Sequence, residues 1–373
     1  MKKCLIVFGT RPEAIKFAPI ISEMEKCSDT MRALVCVTGQ HREMLDDVLD
    51  LFDIIPNYDL DIMRPNQALT DITCRVLRGL EAIIDQEKPD ILLVQGDTTS
   101  SFAASLAAYY HKVPVGHVEA GLRSWDKYHP YPEEMNRRIT DALTDLYFAP
   151  TSNARENLLK EGISEECIIV TGNTVIDALL AASNMPYEFD IPELAKTDGS
   201  IILVTAHRRE SFGSGLSSIC QAIKKLAKHF PDITFVYPVH KNPKVVEIAF
   251  SILNDQKNVL LIAPLPYLPF VHLMKRSIMI LSDSGGIQEE APSLNKPLLV
   301  LRDVTERPEV IEVGAARLVG TDPERIFRAA IRILENENVY QSMAEAKNPF
   351  GDGNAAERIV SSIHSWLMKI PSC

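Results

Sequence analysis

The chain has 373 residues, 46% hydrophobic and 24% charged, with 39 basic against 50 acidic side chains and a formal net charge of −11. This is the composition of a soluble globular protein too long for one average core, so two domains are expected. The acidic balance argues against nucleic acid or an anionic membrane as the main partner, while an anionic small ligand would need only a local basic pocket.

The first apolar run, ending at Phe8, is short and is interrupted by Thr10-Arg11-Pro12-Glu13, so it reads as a strand rather than a signal peptide. No apolar run is long enough to span a bilayer. Strand candidates follow at 5–8, 34–37, 91–94, 113–118, 146–148 and 168–170, with helical patterns at 16–25, 69–86 and 100–110 between them. Continuous apolar runs alternating with amphipathic helices are the pattern of a parallel sheet covered on both faces. After a less regular stretch, 183–200, the pattern restarts. Strands are expected at 201–204, 233–237, 259–262, 278–281, 298–301 and 317–319, and helices at 216–229, 286–294 and 323–334. The fold class is therefore α/β, with two Rossmann-like doubly wound domains in series, and ligands in such sheets bind beyond the carboxyl ends of the strands. We expect an N-terminal domain over 1–170, a C-terminal domain over 171–354, and a last amphipathic helix in 355–373 packing back on the first.

The seven cysteines, Cys4, Cys27, Cys36, Cys74, Cys167, Cys220 and Cys373, are scattered and form no CxxC pair. That fits reduced thiols in a cytoplasm, with no disulfide frame and no metal site.

Polar residues cluster where predicted strands end. Strand one leads into Gly9-Thr10-Arg11 and Lys16, either a grip for phosphate or carboxylate, or an N-cap by Thr10 with Pro12 early in the helix, or both. It is neither a dinucleotide-binding GxGxxG nor a Walker loop. The run 91–94 leads into Gln95-Gly96-Asp97, where Asp97 can serve as an N-cap or as an acid or base. Glu119 follows the strand 113–118, and Glu133 and Glu134 follow aromatics and prolines. In a partly closed site such carboxylates can exchange protons; otherwise they belong to a charged surface loop.

In the second half His207 and Arg208 follow a strand, His240 follows the next, and Phe270 lies in an aromatic segment. The run Ser284-Gly285-Gly286 joins a strand to a helix, leaving backbone donors at the positive end of the helix dipole for a phosphate, with Glu290 one turn on. Arg307 can meet the same phosphate or pair with acidic neighbours.

The chain also carries FGTRPEAIK at 8–16, QHREM at 40–44, GDTT at 96–99, GHVEAGLR at 116–123 and PEEMNR at 132–137. TGNTVID at 171–177, HRRESFG at 207–213, DSGGIQEEAP at 283–292 and ERPE at 306–309 follow. These blocks, in this order from Leu5 to about Gly353, closely resemble the bacterial non-hydrolysing UDP-N-acetylglucosamine 2-epimerases. The resemblance implies the glycosyltransferase B arrangement of two domains about a cleft, with no cofactor. It implies reversible interconversion of UDP-N-acetylglucosamine and UDP-N-acetylmannosamine for surface polysaccharide. The implied route is elimination of UDP to 2-acetamidoglucal, then re-addition.

Asp97, Glu119 and Glu133 match the family's acid/base carboxylates, and His207 its essential histidine. Arg11, Lys16, Ser284, Gly285, Gly286, Glu290 and Arg307 match its UDP contacts, with Phe270 beside the uracil. A second UDP-N-acetylglucosamine as activator would meet Gln40, His41, Gln67, Glu134, Arg208 and His240. Asn66, where strongly activated relatives carry arginine, bears on the strength of that response, with Arg64 the alternative cation. A homodimer is implied by the family alone. The rival activities on this fold are a hydrolysing 2-epimerase, a glycosyltransferase and a non-catalytic sensor of UDP-sugars.

Overall fold

The computed structural model describes every residue except 40–41, 65–66, 196, 198, 209–212 and 370–373, and does not describe the side chains of 42–44. The chain divides into two compact units, Met1–Ala178 with Phe350–Cys373, and Leu179–Pro349.

The first unit alternates β1 (Lys2–Phe8), α1 (Arg11–Lys26), β2 (Met31–Val37), α2 (Arg42–Leu51), β3 (Tyr58–Asp59), α3 (Leu69–Glu87) and β4 (Ile91–Gln95). It continues through α4 (Thr99–Tyr110), β5 (Val115–Val118), α5 (Glu133–Ala142), β6 (Leu146–Ala149), α6 (Ser152–Lys160), β7 (Ile168–Val170) and the start of α7 (Thr174–Asn184). Its seven strands pair in parallel in the order β3-β2-β1-β4-β5-β6-β7.

The second unit carries α8 (Pro192–Ala195), β8 (Ile201–Thr205), α9 (Ser214–His229), β9 (Thr234–Pro238), α10 (Pro243–Leu253), β10 (Val259–Ile262), α11 (Tyr267–Arg276) and β11 (Ser277–Ser282). α12 (Gly285–Glu290) runs into a 3-10 turn, Ala291–Leu294, before β12 (Leu298–Val300), α13 (Pro308–Glu312), β13 (Ala316–Leu318), α14 (Pro323–Leu334) and α15 (Glu337–Ala344). Its six strands are parallel in the order β10-β9-β8-β11-β12-β13. The final helix, α16 (Ala355–Lys369), belongs to the first unit and packs against α1.

The elements follow from their residues. β1 and β4 are apolar runs buried on both faces, with Leu5, Ile6, Val7 and Phe8 fully covered. α4 lies close against the sheet because Ala103, Ala104, Ala107 and Ala108 keep its buried face small. In the second unit Val204, Phe235, Tyr237, Leu281 and Leu299 form a core with Ile223 and Leu226 of α9 and Ile326 and Ile333 of α14. Each such large side chain contributes about 1.5–3 kcal/mol when fully buried.

α1 opens after Thr10, in extended conformation at φ −130, with Pro12 in its first turn. α4 opens after Thr98, whose hydroxyl accepts from the Ser101 N–H at 3.0 Å. The cap is thus Thr98 and not Asp97, which lies one residue earlier and is free of that duty. No described helix is long and apolar enough to cross a membrane.

In each sheet the strand order reverses once, between β1 and β4 and between β8 and β11. Loops leaving the carboxyl ends of such a pair diverge, and doubly wound sheets bind ligands at that point.

Candidate active site

At the β1/β4 reversal a buried carboxylate ties the two loops. Glu13, in the first turn of α1, accepts on Oε2 from the N–H groups of Gly9 (3.0 Å) and Thr10 (2.8 Å) and from the Thr10 hydroxyl (2.7 Å). Its Oε1 accepts from the Thr98 hydroxyl at 2.7 Å and lies 2.8 Å from Ser101 Oγ. Ser101 Oγ is also 2.7 Å from the Gln95 carbonyl and has one proton to give. If that proton goes to Gln95, a protonated Glu13 completes the set by donating to Ser101. Burial raises the Glu13 carboxyl above its ordinary range, against the pull of the hydrogen bonds from Thr10, Thr98, Gly9 and Ser101. The turn carrying Arg11 and Lys16 is thereby joined to the turn carrying Asp97.

Glu119 follows β5 with a left-handed backbone, φ 68. A non-glycine residue in that region is held there by its surroundings, a condition that clusters at functional sites. Its Oε2 is ion-paired with Lys16 and accepts from the Gln95 amide at 2.7 Å. Asp97 is ion-paired through Oδ2 with Arg137 Nη2, and its carbonyl accepts from the Asn136 amide at 3.0 Å. Arg137 Nη1 donates to Glu134 Oε2 at 3.1 Å.

Glu134 is fully buried and also accepts from the N–H groups of Ser124 (3.0 Å) and Trp125 (3.2 Å), so it clamps that loop onto the start of α5. Glu133 is half-buried, and its Oε2 is covered from solvent with no hydrogen-bond partner among the described residues. Arg11 is half-buried in the first turn of α1.

Beneath these groups His117 is wholly buried. Its Nε2 donates to the Gly96 carbonyl at 2.8 Å, and its Nδ1 lies 2.6 Å from Asp141 Oδ1. Gly96 adopts φ +67, which presents that carbonyl at the turn before Asp97. Asp141 Oδ2 accepts from Arg123 Nη2 at 2.6 Å, and the same nitrogen donates to Glu161 at 2.5 Å. Burial works to raise the Asp141 carboxyl, but His117 and Arg123 outweigh it and hold the group below its ordinary value.

The expected activator residues of this unit are only partly described. Gln40, His41 and Asn66 lie outside the described residues. Gln67 accepts from the Arg64 N–H at 3.2 Å, and the exposed Arg64 guanidinium donates to the carbonyls of Asp61 (3.0 Å) and Met63 (2.6 Å).

The second unit repeats the device at its β8/β11 reversal. Asp283, fully buried after β11, accepts on Oδ2 from the N–H groups of His207 and Arg208, each at 2.7 Å. Its Oδ1 lies 3.7 Å from His207 Nδ1. The His207 ring stacks on His240 with centroids 5.5 Å apart and planes at 10°. Burial pushes the His207 imidazole down; Asp283 opposes that shift, and His240 and Arg208 add to it.

Arg307 closes over the start of α12. A Cβ at Gly285 would stand 2.8 Å from Arg307 Nη1 and 3.5 Å from Arg208 Nη2, so both guanidinium groups converge on this glycine. Arg307 Nε donates to Glu289 at 2.5 Å, and its N–H donates to the Thr305 hydroxyl, which itself donates to Gln288 at 2.5 Å. Arg302 makes a two-point pair with Glu306, and that hydrogen bonding lowers the Glu306 carboxyl to about 2. A Cβ at Gly286 would have only Ser284 Oγ near it, at 4.0 Å. Glu290 is buried at the end of α12, and Phe270 is half-buried in the first turn of α11.

The class this defines is that of α/β enzymes with two Rossmann-like domains, one bearing strand-end carboxylates matched with cations, the other an arginine-flanked helix start. The family described as UDP-N-acetylglucosamine 2-epimerase matches residues 24–364. The chain belongs to that family. It is 54% identical to the UDP-N-acetylglucosamine 2-epimerase of Salmonella typhimurium, covering 99% of this chain and 100% of that protein. Among solved structures it is similar to the Neisseria meningitidis UDP-GlcNAc 2-epimerase bound to UDP-GlcNAc, at 50% identity and TM-score 0.88, over 97% of this chain and 100% of that one. It is also similar to S. aureus MnaA solved with UDP, at 50% identity and TM-score 0.89, over 100% and 98%.

Several groups that order the loops at the two strand reversals carry no role in the sequence reading: Glu13, Gln95, His117, Arg137 and Asp141 in the first unit and Asp283 in the second. The available signal was polarity inside or at the end of apolar runs, as with Gln95 in β4 and His117 in β5.

Proposed function

We propose that the enzyme interconverts UDP-N-acetylglucosamine and UDP-N-acetylmannosamine without releasing free sugar, as a step towards bacterial surface polysaccharide. The observation that carries this reading is the pairing of Asp97 with Arg137 and of Glu119 with Lys16. Two carboxylates poised with cations can take a proton from sugar carbon 2 and return it to the opposite face. Family membership and relatives solved with UDP-GlcNAc and with UDP support the substrate class.

In this reading one of Asp97, Glu119 and Glu133 removes the carbon 2 proton as the bond from carbon 1 to the diphosphate breaks, with its electron pair leaving on UDP. His207, Arg307 and Arg11 stabilise the charge that collects there, and Lys16 exchanges its hold on Glu119 for the diphosphate. Ser284, Gly285 and Gly286 hold the diphosphate, Glu290 the ribose and Phe270 the uracil. 2-Acetamidoglucal is the intermediate, and UDP adds back after the proton returns. Residues 1–170 supply the proton chemistry, and residues 171–354 hold UDP. A cytoplasmic homodimer that needs no cofactor completes the proposal. So does activation by a second UDP-N-acetylglucosamine at Gln40, His41, Gln67, Glu134, Arg208 and His240.

Incubation with UDP-N-acetylglucosamine in heavy water, read by proton NMR, tests the reaction. Deuterium at carbon 2 together with a UDP-linked mannosamine product is expected. Free N-acetylmannosamine would instead identify a hydrolase, and absence of exchange would remove the elimination route. Activation is tested by rate against substrate: sigmoidal dependence is expected, and a strictly hyperbolic curve counts against it.

A further inference from the structure

Asp283 is wholly buried and combines two features that rarely occur together. One oxygen is fully used, accepting two backbone N–H groups at 2.7 Å. The other, Oδ1, is covered from solvent and has no hydrogen-bond partner among the described residues. A buried acceptor left unmade costs about 1–3 kcal/mol, so such an atom calls for an explanation. His207 Nδ1 stands 3.7 Å from it, too far for a hydrogen bond. The His207 side chain is 40% exposed, and its ring lies in a near-parallel stack with His240. An approach of the ring by roughly 1 Å would bring Nδ1 within hydrogen-bond distance of Oδ1.

We propose that Asp283 is the positioning residue of His207: it selects the Nδ1–H form of the ring and holds the imidazolium while Nε2 faces the substrate. The clamp on the His207 and Arg208 N–H groups fixes where the ring starts; the second oxygen fixes which nitrogen carries the proton. A carboxylate at this place can serve only a donor, so the ring must present Nδ1–H to it. Among the described residues, the charged and titratable groups acting on the ring are Asp283, His240 and Arg208. Of these three, Asp283 is the one that favours the cation. The inference rests on the proposed part of His207 in carrying the charge of departing diphosphate, which an imidazolium does and a neutral ring does only weakly.

The first measurement leaves Asp283 unaltered. In the full-length enzyme labelled with 15N-histidine, with the resonance assigned by loss in His207→Gln, neutral His207 should carry its proton on Nδ1. Finding the proton on Nε2 overturns the proposal. The second uses Asp283→Asn, which keeps one carbonyl for the backbone clamp but turns an amide donor towards Nδ1. The His207 titration midpoint should fall, and kcat should drop about 10²-fold or more while KM changes less than about threefold. An unmoved midpoint with unchanged kcat overturns the proposal. A moved tautomer and midpoint with unchanged turnover upholds Asp283 as the residue that sets the ring, and removes His207 from the reaction instead.

Discussion

The ammonium of Lys16 is ion-paired with Glu119 Oε2, and the Gln95 amide donates to that same oxygen at 2.7 Å. The residue proposed for the diphosphate and one proposed for proton transfer are therefore direct partners. In the proposed reaction the diphosphate competes for Lys16, which would leave that Glu119 oxygen with the Gln95 amide. Lys16→Met should lower kcat/KM about 10²–10³-fold. It should weaken UDP binding, followed by calorimetric titration, by a clearly smaller factor. Equal losses in both would make Lys16 a diphosphate contact and nothing more.

The arginine over Gly285 gives a second test. A methyl group there would stand 2.8 Å from Arg307 Nη1 and 3.1 Å from its Cζ, so Gly285→Ala must push the guanidinium aside. Arg307 is a flexible side chain, so stability should hold while UDP affinity falls about tenfold, some 1.4 kcal/mol. Arg307→Ala should cause a similar loss, and the double variant should lose little more than either alone. Additive losses would show that Gly285 acts through something other than Arg307.

Glu13 is raised by burial, so its sign is that of a group preferring its proton in the folded state. Its contribution is fully present below the unfolded glutamate value and is lost as pH rises through the folded value. Glu13→Gln imitates the protonated form and should cost less than about 1 kcal/mol, whereas Glu13→Ala, which strands the Gly9 and Thr10 N–H groups, should cost about 2–3 kcal/mol. Denaturant melts across acid to neutral pH check this. Wild type should lose ground against Glu13→Gln as pH rises; the opposite trend would mean the buried carboxyl is ionised.

Asp141 behaves with the opposite sign. Its carboxyl is depressed, burial being outweighed by His117 and Arg123, so its stabilisation is present above the unfolded aspartate value and fades as pH falls through the folded one. Asp141→Asn removes the carboxylate between His117 and the buried Arg123 guanidinium, leaving Glu161 as that arginine's remaining acidic partner, and should cost about 3 kcal/mol at neutral pH. The gap between variant and wild type should narrow in acid. A gap independent of pH would mean the loss is one of packing.

The alternation of apolar runs and helices was enough to read two Rossmann-like domains, because parallel strands buried on both faces have no polar period to hide them. Strand-end carboxylates were legible for the same reason: Asp97 and Glu119 stand where apolar runs stop. Their partners were not. Lys16 meets Glu119 across 103 residues and Arg137 meets Asp97 across 40, and nothing local encodes either pairing. Asp97 was also a candidate cap, a role that Thr98 takes because its hydroxyl is the one within reach of the Ser101 N–H. Glu13 and Asp283 look like ordinary polar residues beside a turn. Their place as ties between loops appears only once β1 lies beside β4 and β8 beside β11. Glu134, given a place at an activator by resemblance, also holds Ser124, Trp125 and Arg137 through its oxygens, contacts that nothing local in the sequence encodes.

The left-handed backbone of Glu119 has a bearing on how its chemistry should be dissected. Glycine and asparagine tolerate that conformation more readily than other side chains. Replacing Glu119 by either would remove the acid and relax the chain in one stroke, so a stabler but inactive variant would confound two effects. Glu119→Gln keeps the length, shape and backbone demand of the original side chain and changes only charge and proton affinity. It is therefore the substitution whose rate loss can be assigned to the carboxylate itself.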